Sequence, residues 1–584
     1  MAYTMGSWSL DGILADQTLE QLISDARHSA DTFADMRPSL NPKIPASEFC
    51  NILCKLEEIS EQLARIGGHT SLIYAQDTQS EEASALKTRI SQIASEIHND
   101  ILFFDLWWKR DIDTDNADRL AKSSADLSNM LLHKRHLAKH SLKEGEEQII
   151  NLLDVTGASA LVKLYDTITN AYIYDVTIRD KQKSLSREEL MVYVRDADHA
   201  ARKTAYDALL HKYSQSRNVL GEIYHNVVLN YRNEFVSLRG YDSPISVMNA
   251  GSNIDDSTVN ALLNVCSERA DTFQRYFTKK ASILHMKRLS RYDVYAPMTN
   301  SEKSYTYNEA VNMVLDTFYR FSDTVGDYAK SVFDQGHVHS KLHPGKMSGA
   351  FCSTISPKIT PFVLLNYTGE SRDVFTLAHE LGHAIHSIAA SSKSILVQHA
   401  PLPLAETAST FSEMLLFDVM LDMMDSSEQV SVLAGKMDDL YATILRQAFF
   451  TQFEIQAHER LSEGATAAQI SDVYIDTLHR QFADSVQVND VFASEWLAIP
   501  HFYHSPFYCY SYAFGNLLAA SLFQRYKQEG GDFVPSYLGI LSAGGSQKPE
   551  TLLQKYGFDI GSANFWREGF DYVDSLYSRL NTIT

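Results

Sequence analysis

Apolar side chains recur at helical spacing through most of the chain. Leu56, Ile59, Leu63 and Ile66 mark one stripe, which the pattern ends at Gly67 and Gly68, and Leu86, Ile90, Ile93, Ile97 and Ile101 mark another. Such stripes line a core. The Ile, Tyr, Val and Thr-rich stretch at 172–179 predicts a short strand. Ser186 followed by Glu189 then predicts a capped helix start, placing a boundary near residue 190. Helical patterning continues to about residue 335, where His337, His339, His343 and Pro344 interrupt it. The segments 350–355 and 362–367 lean towards strand and are separated by Ser356, Pro357 and Lys358, so they predict a hairpin or two sheet strands. A helix is expected over about 374–390, then a loop with Pro401 and Pro403, then a second helix over about 404–423.

The 584-residue length exceeds what one core serves, so two or three domains, or lobes sharing one long body, are expected. Apolar residues at 45% and charged residues at 21% fit a chain that folds throughout. With 52 Lys and Arg against 73 Asp and Glu, the net charge of -21 argues against nucleic acid or an anionic membrane as partner. Five scattered cysteines argue against a disulfide framework. The first residues lack a basic segment followed by an apolar core, and no apolar run is long enough to span a bilayer. A cytoplasmic location is expected.

Chemistry concentrates at His379-Glu380-Leu381-Gly382-His383. Inside a helix, residues four apart share a face, so both imidazoles can reach one zinc ion, and Glu380 projects beside it as a general base for water. A third ligand is needed. His386 is ruled out by reach, because a helix rising about 1.5 Å per residue puts it about 10 Å from His379. Position 389 is Ala389, which excludes the metzincin pattern. Glu406 and Glu413 remain, on the next predicted helix. Glu406 is the expected ligand, because the two-proline loop before it turns the chain back over the first helix, and Glu413 becomes a partner for a ligand imidazole. Further on, His501, Tyr508, Tyr510 and Tyr512 supply neutral donors. A phenol keeps its proton at neutral pH and can stabilise a developing oxyanion.

Four blocks in order resemble the oligoendopeptidase F branch of the thimet oligopeptidase-like metallopeptidases: Gly345-Lys346 with Gly349-Ala350-Phe351-Cys352, the run from Phe375 to His386, the run from Leu404 to Glu413, and His501 to Gly515. The likeness is strongest over residues 200–584 and looser before, where Trp8-Ser9-Leu10 still resembles the family's opening. It implies a mainly α fold with a small β-sheet beside the active site. The body is an elongated helical one, split by a deep substrate channel that admits unfolded oligopeptides. It also implies a helical region at 1–110, an oligoendopeptidase F-type N-terminal domain at 111–190 and a catalytic domain at 191–584. One zinc ion per chain is implied, held by His379, His383 and Glu406, with Glu380 as base and His501, Tyr510 and Tyr512 as donors. The expected activity is zinc-dependent cleavage of oligopeptides. A carboxydipeptidase of the same superfamily and a non-catalytic peptide-binding protein with structural zinc are the alternatives. One departure stands out: Pro506 and a shorter spacing occur where thimet-type relatives carry a glycine-rich loop.

Overall fold

Long helices dominate the computed structural model, which describes residues 2–298 and 304–584. Two units are distinguished, each made of three stretches of chain: Met1–Lys139, Glu302–Met420 and Arg525–Phe558 in the first, and His140–Ser301, Leu421–Gln524 and Asp559–Thr584 in the second.

The first unit begins with the helices Leu19–Asp35, Ala46–Gln76 and Glu81–Arg110. Their apolar stripes meet in a core that includes Phe33, Phe49, Ile59, Ile66, Ile97 and Trp108. The expected break at Gly67 and Gly68 does not occur, because the helix runs on to Gln76. The reason lies outside the helix. A Cβ on Gly68 would stand 2.7 Å from Ile355 Cγ1, so that glycine serves close packing and not termination. The end of this helix, with Leu72 and Ala75, joins Trp8, Ile355, Phe362 and Leu364 in a second cluster beneath a three-stranded sheet. The sheet order is Val338–His339, Phe362–Leu364, Phe351–Ser353, parallel across the first pair and antiparallel across the second. Both predicted strands are therefore present, shortened at their ends.

The second unit carries the hairpin Tyr174–Ile178 with Lys181–Leu185, and the first of these strands alternates buried and exposed as a half-covered strand requires. The capping box predicted at Ser186 and Glu189 is formed. Helices His199–Gln215, Arg217–Tyr231, Arg446–Ser462 and Ala467–Phe482 build its body. Buried charge there is paired: Arg291 contacts Glu495 at 2.6 Å, and Lys280 contacts Asp438 at 2.6 Å. All five cysteines are free thiols. Among the described residues, no helix is long and apolar enough to cross a membrane.

Candidate metal centre and active site

Two helices of the first unit supply the centre, and the sequence shows why each forms where it does. Asp373 Oδ2 accepts the main-chain N–H groups of Thr368 and Gly369 at 2.7 and 2.9 Å, which fixes the turn leading from the sheet into the helix Ser371–Ala389. Val374, Leu377, Ala378, Leu381, Ala384 and Ile385 form its buried face. His379 and His383 consequently fall on the other side, one turn apart, with ring centroids 4.9 Å apart. The next segment is helical over Leu402–Ala405 and again over Thr407–Asp422, with Glu406 at the junction. Gly382 lets these helices touch. A Cβ there would lie 2.6 Å from both the Ala408 carbonyl oxygen and Ser409 Cα.

The three expected ligands converge. His379 Nε2 and His383 Nε2 lie 3.4 and 3.5 Å from Glu406 Oε2. Among the described residues, His379, His383 and Glu406 alone offer three such atoms within 4.8 Å of one another. Two nitrogens and a carboxylate oxygen suit a divalent ion that keeps an open position. The surrounding groups also fit that use. Glu413 Oε1 lies 2.7 Å from His379 Nδ1, an arrangement that places the Nδ1 proton towards Glu413 and leaves Nε2 for ligation. Ser409 donates to Glu406 Oε2 at 2.9 Å, fixing the carboxylate. His386, as expected from its reach, is not in the set; it is buried, and burial holds it neutral, down to about 4.

Electrostatics separates the roles further. Burial opposes charge on His379, but the Glu413 hydrogen bond, aided by Glu380 and Glu406, outweighs it and lifts the imidazole to about 9. Burial lowers His383. Glu380 is 7% exposed, and burial pushes its carboxyl up to about 7 against the pull of His379. A cavity of about 390 Å³ opens beside these groups, lined among others by Phe351, Cys352, Thr354, Ser387 and Gln398. Its wall includes the edge strand Phe351–Ser353, which pairs on one side only among the described residues.

The segment expected to supply neutral donors lies in the second unit. His501 and Tyr512 are half-buried, with the Tyr512 hydroxyl 3.4 Å from His501 Nε2. Tyr510 is buried completely, and Tyr508 is half-buried with its ring 5.3 Å from that of Tyr512. Several supports escaped sequence reasoning. Gly544 and Gly545 cradle the loop before Glu406: Gly545 donates to the Val397 carbonyl at 2.7 Å, and a Cβ on Gly544 would meet the Gln398 oxygen at 2.5 Å. The adjacent glycines were the available signal. Nothing local announced Asp373 as the anchor of the metal helix.

Comparison with known proteins adds to this geometry. A family model described as peptidase family M3 matches residues 192–572. An oligoendopeptidase F homolog of Borreliella burgdorferi is 26% identical over 88% of this chain and 87% of its own length. The fold is similar to the crystal structure of a Chlamydophila abortus protein, with a TM-score of 0.87 and 24% identity over 99% of this chain and 98% of that one. It is also similar to oligoendopeptidase F from Enterococcus faecium, with a TM-score of 0.69 and 21% identity over 97% and 99%.

Proposed function

Because this chain belongs to peptidase family M3, we propose that it is a zinc-dependent oligoendopeptidase hydrolysing internal bonds of short unfolded peptides, with His379, His383 and Glu406 holding one zinc ion. The observation that carries this reading is the convergence of those three ligand atoms within 4.8 Å, with the buried Glu380 on the same helix. Zinc held there supplies Lewis acidity to the attacking water and the scissile carbonyl. Glu380 accepts the proton of the water and passes it to the leaving amine, and its place on the same helix as His379 and His383 sets a carboxylate beside them for that transfer. The free edge of Phe351–Ser353 can take an extended peptide backbone by strand addition, which tolerates many side chains. His501, Tyr510 and Tyr512 are the proposed oxyanion donors. The half-buried Tyr512 and His501 pair has the stronger support, since the Tyr510 side chain is closed to solvent. Five free thiols accord with work in a reducing compartment such as the cytoplasm.

The test uses zinc-loaded protein and a peptide blocked at both ends. Internal cleavage is expected. Glu380→Gln should keep its zinc and lose turnover by several orders of magnitude. Undiminished turnover in metal-loaded Glu380→Gln refutes the assignment, and an intact blocked peptide beside release of C-terminal dipeptides from its unblocked counterpart moves the enzyme to the carboxydipeptidase class.

A further inference from the structure

A buried carboxylic acid of the second unit has no part in the chemistry above. Glu454, on the helix Arg446–Ser462, has no solvent exposure. Its Oε1 accepts the main-chain N–H of Phe507 at 2.9 Å, and its Oε2 has no partner among the described residues. Burial pushes this carboxyl up to about 8, so the acceptor is largely an uncharged one. A buried acid with half of its polar capacity unused is costly, and its retention calls for a reason.

The reason lies in the backbone it touches. Tyr508 N–H donates to the Ser505 carbonyl at 3.1 Å, closing a turn over Pro506 and Phe507. Phe507 has φ of 63°, the left-handed region, at the turn position where glycine or asparagine ordinarily stands. Its ring is buried and packs 4.6 Å from that of His458, one helical turn beyond Glu454. The Phe507 N–H takes no part in the turn's own hydrogen bond, and Glu454 is what receives it. Strained backbone of this kind persists only where surrounding groups over-determine it, and it gathers at functional sites. Directly after it, Ser511 donates to the Tyr508 carbonyl at 3.0 Å and Tyr512 to that of Cys509 at 3.2 Å, so the turn sets the direction in which the tyrosines leave it.

We propose that Glu454 is a positioning residue: by accepting the Phe507 N–H it locks the strained Pro506 and Phe507 turn, and so keeps the Tyr512 hydroxyl beside the His501 imidazole as a donor pair. This rests on the proposed donor role of that segment. Glu454 acts through the turn and does not itself meet the substrate. An amide oxygen can receive the same N–H, whereas a thioether of similar volume cannot.

Glu454→Gln, Glu454→Met, Tyr512→Phe and the double variant Glu454→Met with Tyr512→Phe separate the possibilities, each assayed for kcat, KM, zinc content and Tm. Glu454→Gln should stay within about threefold of the parent kcat. Glu454→Met should lose about 10²-fold in kcat, the scale of one lost oxyanion donor, with KM and zinc nearly unchanged. The double variant should be no slower than the slower single variant, because both changes remove the same donor. Equal activity of Glu454→Gln and Glu454→Met, or effects that multiply in the double variant, overturns the proposal. Impaired Tyr512→Phe beside a normal Glu454→Met sinks the positioning role alone. Normal turnover in Tyr512→Phe sinks the donor role beneath it. Should Glu454→Met not fold, Pro506→Ala loosens the same turn from its outer side: a fall in kcat at unchanged zinc content supports the proposal, and an unchanged kcat overturns it.

Discussion

Gly382→Ala adds one methyl group to the metal helix where it crosses the segment carrying Glu406. The added Cβ would stand 2.6 Å from the Ala408 carbonyl oxygen, 2.6 Å from Ser409 Cα and 2.8 Å from Ser412 Oγ, while ordinary contact begins at 3.4 Å. Two of those three atoms are backbone, so a side-chain rotation cannot relieve the clash. The helices must part by about 0.8 Å, the difference between the two distances. Overpacking of this kind costs roughly 1–3 kcal/mol in stability. The larger consequence falls on the metal. Glu406 lies two residues before Ala408 and moves with it, whereas zinc sites tolerate ligand displacements of only about 0.2 Å. Zinc affinity should therefore fall on the order of 10- to 100-fold, as when a ligand is misplaced but not removed.

Competition with a chromophoric chelator measures that affinity, and thermal unfolding of the metal-free protein measures the packing cost separately. Gly435→Ala is the control: this glycine lies inside the helix Ser426–Leu440 with open space at its Cβ position. It should gain about 0.5–1 kcal/mol from the better helix former and leave zinc binding unchanged. If Gly382→Ala lowers Tm but binds zinc as tightly as the parent, the close approach serves packing alone. Parental values of both quantities would refute the steric argument altogether.

Two further outcomes follow from the ligand shell. Glu406→Ala should empty the site on dialysis, whereas Glu413→Ala, which removes the hydrogen bond to His379 Nδ1, should weaken zinc by about 10- to 100-fold; metal analysis showing the reverse order would exchange their roles. In the metal-free protein His379 is raised to about 9, so at pH 7 it carries a proton on each nitrogen; ligation must expel the one on Nε2, and zinc affinity should fall about tenfold per unit as pH drops below about 9. Calorimetry in buffers of different ionisation enthalpy reads this release directly, and zinc binding that is independent of pH between 7 and 9 would show that His379 is not the protonated group.

What could be read from the sequence was chemistry with a short period. His379 and His383 are one turn apart on one helix, and helical spacing is enough to place them together. The place of Glu406 beside the two histidines was legible because two prolines, Pro401 and Pro403, mark the loop that returns the chain. The hairpin before the metal helix was legible for the same local reason, from β-leaning runs around Pro357. Gly67 and Gly68 were misread on the same basis: a glycine pair inside a helical pattern suggested an end, but Gly68 answers to Ile355, 287 positions away along the chain.

The supports of the site are illegible for a physical reason that these examples share. A ligand's identity is chosen by the metal, so its residue type and spacing are constrained wherever it occurs; a support is chosen by whatever happens to lie opposite it in the fold. Gly382 is needed because Ala408 and Ser409 are there, and Glu454 because Phe507, 53 positions later, holds an amide turned inward. Glu413 shows the border between the two cases. Its role beside a ligand imidazole could be expected from the known need of a metal-bound histidine for a second hydrogen bond, and the 2.7 Å contact with His379 Nδ1 meets that need. No comparable general need points to Glu454. A strained backbone at a non-glycine residue becomes visible only once dihedral angles exist, and the acid that holds it acquires meaning only through that strain.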